Sequence, residues 1–180
     1  MLPIVKTPNQ VLMEPSKPVT EFDKKLLNII TEMKESLLAT TDPKGVGLAA
    51  PQVGIPLKIF LAKPNDKSPI LVFINPQIKE ITETQPKSSK KKGRLLEGCL
   101  SIPSIWGKVS RNASLTIEYQ DESGKKHTKV AKGFLAIIIQ HEMDHLQGIL
   151  FTKRVMEQNQ KLFRSYKNEK GEDEFEEIKI

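Results

Sequence analysis

The chain has one cysteine, so no disulfide forms within it and its composition gives no sign of an oxidising compartment. That thiol is free to be buried, to ligate a metal or to act as a nucleophile. Long apolar runs are missing as well: the longest, Phe134 to Ile139, falls far short of the roughly 20 residues that cross a bilayer. The opening Met1-Leu2-Pro3-Ile4-Val5 lacks a secretory apolar region and an Arg/Ser-rich transit segment, which makes the cytoplasm the expected location. Aromatic residues are few and none interleave the basic run Lys87, Lys90, Lys91, Lys92 and Arg94, where much of the net charge of +6 sits. That run matches no nucleic-acid module and reads as a solvated loop, so DNA is not an expected partner.

What is present suits a soluble globular protein: 180 residues, 38% hydrophobic and 28% charged, enough for one core that needs no disulfide or structural metal. A single domain over residues 1–180 is expected, with a polar tail from about 153. Glu172, Asp173, Glu174, Glu176 and Glu177 repel one another there and predict a frayed end. Phe22, Leu26, Ile29, Ile30, Met33 and Leu37 recur at helical spacing and predict an amphipathic helix from Thr20 to about Thr40, with Thr20 as cap and Asp23 as its third residue. Residues 57–62 and 70–74 are short apolar runs that suit strands, joined through a turn at Pro64-Asn65-Asp66. Alternation over 114–120, then Ser123-Gly124 and residues 125–130, predicts a hairpin with one wet face. From Gly133 to about Leu146 runs a helix without a broad polar face, expected to pass buried through the domain.

That helix contains His141-Glu142-Met143-Asp144-His145. Positions i and i+4 share a helix face and can share a metal, while Glu142, rotated about 100° from His141, can reach a nearby water without ligating. The alternative is a pair of core histidines satisfied by carbonyls. A catalytic metal needs a third protein ligand and an open position. His127 is the one other histidine and lies in the Lys-rich hairpin, where an exposed strand residue is the simpler reading. Cys99, in Glu97-Gly98-Cys99-Leu100-Ser101, is the better donor, because Gly98 permits close backbone approach and a thiolate complements the metal's charge. Taken alone, a lone cysteine is more often a small buried hydrophobe, and it is the surrounding pattern that reverses this. Gly45-Val46-Gly47-Leu48-Ala49-Ala50-Pro51-Gln52 is a small-residue loop that ends in an amide. It is either a tight turn or a backbone surface for a ligand; no Lys-Ser/Thr pair comes after it to make it a phosphate loop.

GVGLAAPQ at 45–52, EGCLS at 97–101 and QHEMDH at 140–145, in that order, resemble the three signature motifs of peptide deformylases. The similarity extends through LPIVKTPNQVL, the SIP after the cysteine and LQGILF, over roughly residues 2–152. The resemblance implies an α+β fold in which antiparallel sheets surround a central HExxH helix, and removal of the formyl group from nascent N-formylmethionyl peptides. It implies Cys99, His141 and His145 as ligands of one divalent metal, ferrous iron, although zinc, nickel or cobalt would accept the same donors. Glu142 matches the acid/base, and the Gln52 amide and the Leu100 N–H match donors to the tetrahedral oxyanion. The backbones of Gly45, Val46, Gly47 and Gly98 are expected to hold the peptide in extended form. Ile137 and Ile138, on the face adjoining His141, are expected to line the methionine pocket. Val46, Leu95 and Phe134 join them by the same match. Arg111 matches an arginine usually preceded by proline, where this chain has Ser110, and Trp106 falls in a loop segment that varies; these departures from the family pattern bear on the pocket rim and the peptide preference and not on the chemistry. The ribosome is a further candidate partner, through the basic run.

Two other readings remain. A zinc endopeptidase on HExxH would take its third ligand downstream, but Phe151 stands where a metzincin has its third histidine, which leaves an acid such as Glu157. A non-catalytic metal-binding or RNA-binding adaptor would have no use for Glu142 as a base.

Overall fold

Apolar side chains at 26, 30, 33 and 37 fall on one helical stripe, and burying each contributes about 1.5–3 kcal/mol. In the computed structural model, which describes residues 1–83 and 96–179, they are the buried face of α1 (Lys24–Leu38). The helix starts later than expected. Asp23, not Thr20, is its cap: the Asp23 carboxylate accepts the Leu26 N–H at 2.9 Å, and Asp is the stronger N-cap of the two. The basic run at 87–94 and Leu95 lie outside the described residues.

The remaining elements are β1 (Gly47–Ala49), β2 (Ile59–Ala62), β3 (Leu71–Glu83), β4 (Glu97–Cys99), β5 (Ile102–Gly107), β6 (Ser114–Gln120), β7 (Lys126–Lys132), α2 (Phe134–Leu146), α3 (Phe151–Glu157), β8 (Leu162–Lys167) and β9 (Asp173–Ile178). They form two sheets, ordered β1-β2-β3-β6-β7 and β4-β5-β8-β9, and every pairing within them is antiparallel. This is a mixed α+β architecture.

The larger sheet is covered on both faces. Ile59 and Leu61 of β2 join Leu26, Ile30, Met33 and Leu37 of α1 in one cluster, while Phe60 and Ala62 join Ala136, Ile138 and Ile139 of α2 in another. That two-sided burial is why β2 reads as an unbroken apolar run rather than an alternating one. Phe60 and Phe73 stack across β2 and β3 with centroids 4.6 Å apart. α2 packs against β1, β2 and β7, and Gln140 fastens it to the loop before β6: its side chain accepts the Asn112 N–H at 3.0 Å and donates to the Asn112 carbonyl at 2.9 Å.

Past Phe151 the chain departs from expectation. Instead of fraying, it forms α3 and a hairpin of β8 with β9 that pairs onto β5. The acidic residues do not face one another alone. Lys161 pairs with Glu177 at 2.6 Å, Lys167 with Asp173 at 2.8 Å, and the Tyr166 hydroxyl donates to Glu174 at 2.8 Å. Leu162 and Ile178 meanwhile turn inward onto Cys99, Phe151 and Val155. Trp106 is likewise a strand residue of β5 rather than a loop residue.

Candidate metal centre

α2 and β4 bring the three sequence-predicted ligands together: the donor atoms of Cys99, His141 and His145 all lie within 4.8 Å of one another. Cys99 Sγ is 3.2 Å from His145 Nε2. On His141, Nδ1 is 3.0 Å from the Glu97 carboxylate, which directs that N–H outward, while the ring also hydrogen-bonds to Cys99. Burial alone would keep the Cys99 thiol neutral, but the two facing imidazoles outweigh it and hold the thiol well below its usual range. Burial likewise opposes charge on His141, yet Cys99 and Glu97 raise its pKa well above the ordinary value. A thiolate, two imidazoles and an environment that favours positive charge fit a divalent transition metal. Glu157, the downstream acid open to a peptidase reading, pairs with Arg154 at 2.9 Å instead. His127 is bound to Asp121 at 2.6 Å in the β6–β7 hairpin and takes no part in the cluster.

Glu97 had no role assigned from sequence, and it organises the layer behind the candidate ligands. Its carboxylate takes the Arg111 guanidinium at 2.8 and 3.0 Å while also receiving His141. Arg111 continues to Asp144 at 2.7 Å, and Asp144 to Arg154 at 2.7 Å. The Arg111 side chain is only 8% exposed, locked between two carboxylates. Burial pushes the Glu97 carboxyl up, but His141 and Arg111 hold it down at about 2, so it stays an acceptor across the neutral range. Removing such an acceptor typically costs 10–100-fold in metal affinity. Glu97→Gln is expected to weaken metal binding by about that factor in a competitive chelator titration, and affinity equal to wild type would remove Glu97 from the metal's support.

Above the ligands opens a cavity of about 240 Å³. Gly45, Val46, Gly47, Gly98, Ile137 and Ile138 all line it, joined by Gln52, Leu100, Phe134 and Trp106, while His145 stays buried behind Cys99. Glu142 is 3% exposed and its Oε2 has no hydrogen-bond partner among the described residues. Burial dominates its surroundings and pushes the carboxyl up to about 7. Gly47 is required beside it, because a Cβ there would collide with the Glu142 carboxylate. Gln52 is fixed at the other end: its Oε1 accepts the Ala49 N–H at 2.8 Å, which turns Nε2 inward to 3.4 Å from Cys99 Sγ and 3.3 Å from Ser101 Oγ.

The sequence profile of the polypeptide deformylase family matches residues 1–161. The chain is 42% identical over 155 residues to peptide deformylase 1 of Bacillus cereus, covering 86% of this chain and 92% of that one. Its fold resembles the crystal structure of the Thermotoga maritima peptide deformylase, with a TM-score of 0.74 at 36% identity, over 86% of this chain and 97% of the other. It also resembles the Synechococcus elongatus peptide deformylase solved with actinonin, with a TM-score of 0.74 at 38% identity, over 85% and 78% of the two chains. With a family match across most of its length and relatives well above 30% identity, the chain belongs to the peptide deformylase family and is a hydrolase.

Proposed function

We propose that this chain hydrolyses the formamide of N-formylmethionyl nascent polypeptides to formate and a free N-terminus, using one ferrous ion held by Cys99, His141 and His145. The observation that carries the reading is one apolar cavity on which the thiol, His141, a buried carboxyl whose Oε2 has no partner among the described residues, and an inward amide N–H all converge. When bound, a divalent ion supplies Lewis acidity, polarising the formyl carbonyl and making water acidic enough to ionise near neutral pH.

The protein's own groups do the rest. The methionine side chain lies against Val46, Phe134, Ile137 and Ile138. β1 and β4 are each the outer strand of their sheet among the described residues, and they offer the backbones of Gly47 and Gly98 to an extended peptide. Glu142 takes a proton from the water that adds to the formyl carbon, then delivers it to the amine as the C–N bond breaks; a carboxyl near 7 suits both directions. The Gln52 side-chain N–H and the Leu100 backbone N–H donate to the oxyanion that forms between those steps. Gln52→Leu is expected to lower kcat by about 10²–10³-fold with KM little changed. A loss below about tenfold would take Gln52 out of the transition state.

The deciding experiment is formate release from a formyl-Met peptide by anaerobically prepared, iron-loaded protein, beside Cys99→Ser and Glu142→Gln. Formate from the wild type alone supports deformylation and both residue roles. No formate from folded, metal-loaded wild type sinks the proposal.

A further inference from the structure

Trp106 lies on the side of β5 that faces the cavity, flat against β4: a Cβ added at Gly98 would stand 2.8 Å from its ring. The other two holds on the indole come from the C-terminal hairpin. Its Nε1–H donates to Ser165 Oγ on β8 at 3.1 Å, and its ring meets Phe175 of β9 edge-on at 85°, with centroids 5.9 Å apart. Register explains the convergence, since Ser165 and Phe175 are cross-strand partners and Phe163, two residues before Ser165, is the partner of Trp106. All four therefore share one face of the sheet, while Leu162 and Ile178 on the opposite face belong to the core around Cys99. The hairpin also begins where the family profile stops, at residue 161.

We propose that the hairpin of β8 and β9 sets substrate affinity by holding Trp106 as a wall of the peptide-binding cavity, with Ser165 and Phe175 as positioning residues. The proposal rests on the deformylation reading for its substrate. Left unsupported on that side, the indole is free to leave the Gly98 backbone, and the cavity loses an apolar face that touches peptide. Phe175 is 47% exposed, so truncating it removes a contact without opening the core.

The test uses the full-length, iron-loaded protein as Phe175→Ala and Ser165→Ala, with Phe175→Tyr as the conservative control. Trp106 is the chain's one tryptophan, so emission excited selectively at the indole, beyond tyrosine absorption, reports on its surroundings. Each truncation is expected to raise KM for a formyl-Met tripeptide about three- to tenfold, the range spanned by one aromatic pair or one hydrogen bond. kcat should stay within about twofold, as befits binding lost equally before and at the transition state. The emission maximum should move to the red, and Phe175→Tyr should restore both readouts. KM unchanged despite red-shifted emission overturns the proposal, because Trp106 then does not touch peptide. KM raised with emission unmoved overturns it too, because the hairpin then acts elsewhere. If the wild type itself releases no formate, the deformylation reading fails, while the emission comparison still tests the hairpin's hold on Trp106.

Discussion

Glu142→Gln is expected to lower kcat for deformylation by about 10²–10⁴-fold and to leave both fold and metal in place. Glutamine has the shape of a protonated glutamate, and burial already drives Glu142 toward that neutral form, with its pKa pushed up to about 7. The substitution therefore costs the folded state little, whereas the amide can accept no proton from water and return none to the amine. Glu142 is also not one of the three converging metal donors, so its change removes none of them. Metal content by elemental analysis and melting temperature should match wild type while formate release collapses. Activity above a tenth of wild type would sink the acid/base assignment.

Cys99→Ser is expected to fail at an earlier stage, in metal binding. A serine hydroxyl does not ionise near neutral pH, so the site keeps two imidazoles and loses the anion that its surroundings stabilise. Altering a supporting residue alone typically costs 10–100-fold in metal affinity, so losing a ligand should exceed about 10²-fold and abolish turnover at micromolar metal. Position 99 is buried beside Phe151, Val155 and Leu162, so a serine there also exchanges a small apolar group for a polar one. Cys99→Ala separates the two effects: it should lose metal to the same degree with a more stable apo fold. Full metal retention in Cys99→Ser would point instead to a ligand outside the triad, as a peptidase reading requires.

Much of this candidate site was legible in sequence because its proposed ligands sit in short, rigid spacings. His141 and His145 are one helical turn apart, and Cys99 directly follows Gly98, which permits close backbone approach. What stayed hidden depends on contacts between distant residues. Glu97 to Arg111, Arg111 to Asp144 and Asp144 to Arg154 are fixed by the pairing of β4 with β5 and the seat of α3, and no local pattern marks a buried arginine. The C-terminal hairpin escapes a sequence reading for a related reason. Its like charges look mutually repulsive along the chain and find lysine partners once the two strands pair. The cap of α1 shows the ordinary one-turn uncertainty of helix ends, with Asp23 outcompeting Thr20.

The strands bordering the cavity are short: β1 and β4 are three residues each, about 10 Å of extended chain. Edges of that length are poor templates for aggregation. Under the proposed binding mode they also limit how much of a polypeptide the protein can inspect. On the proposed pairing of peptide with these edges, a footprint of about three residues leaves everything beyond the first few positions of a nascent chain outside the enzyme's reach. One catalyst can then serve proteins of unrelated sequence, and the moment of processing depends on when a chain's first residues come free rather than on the identity of the residues behind them.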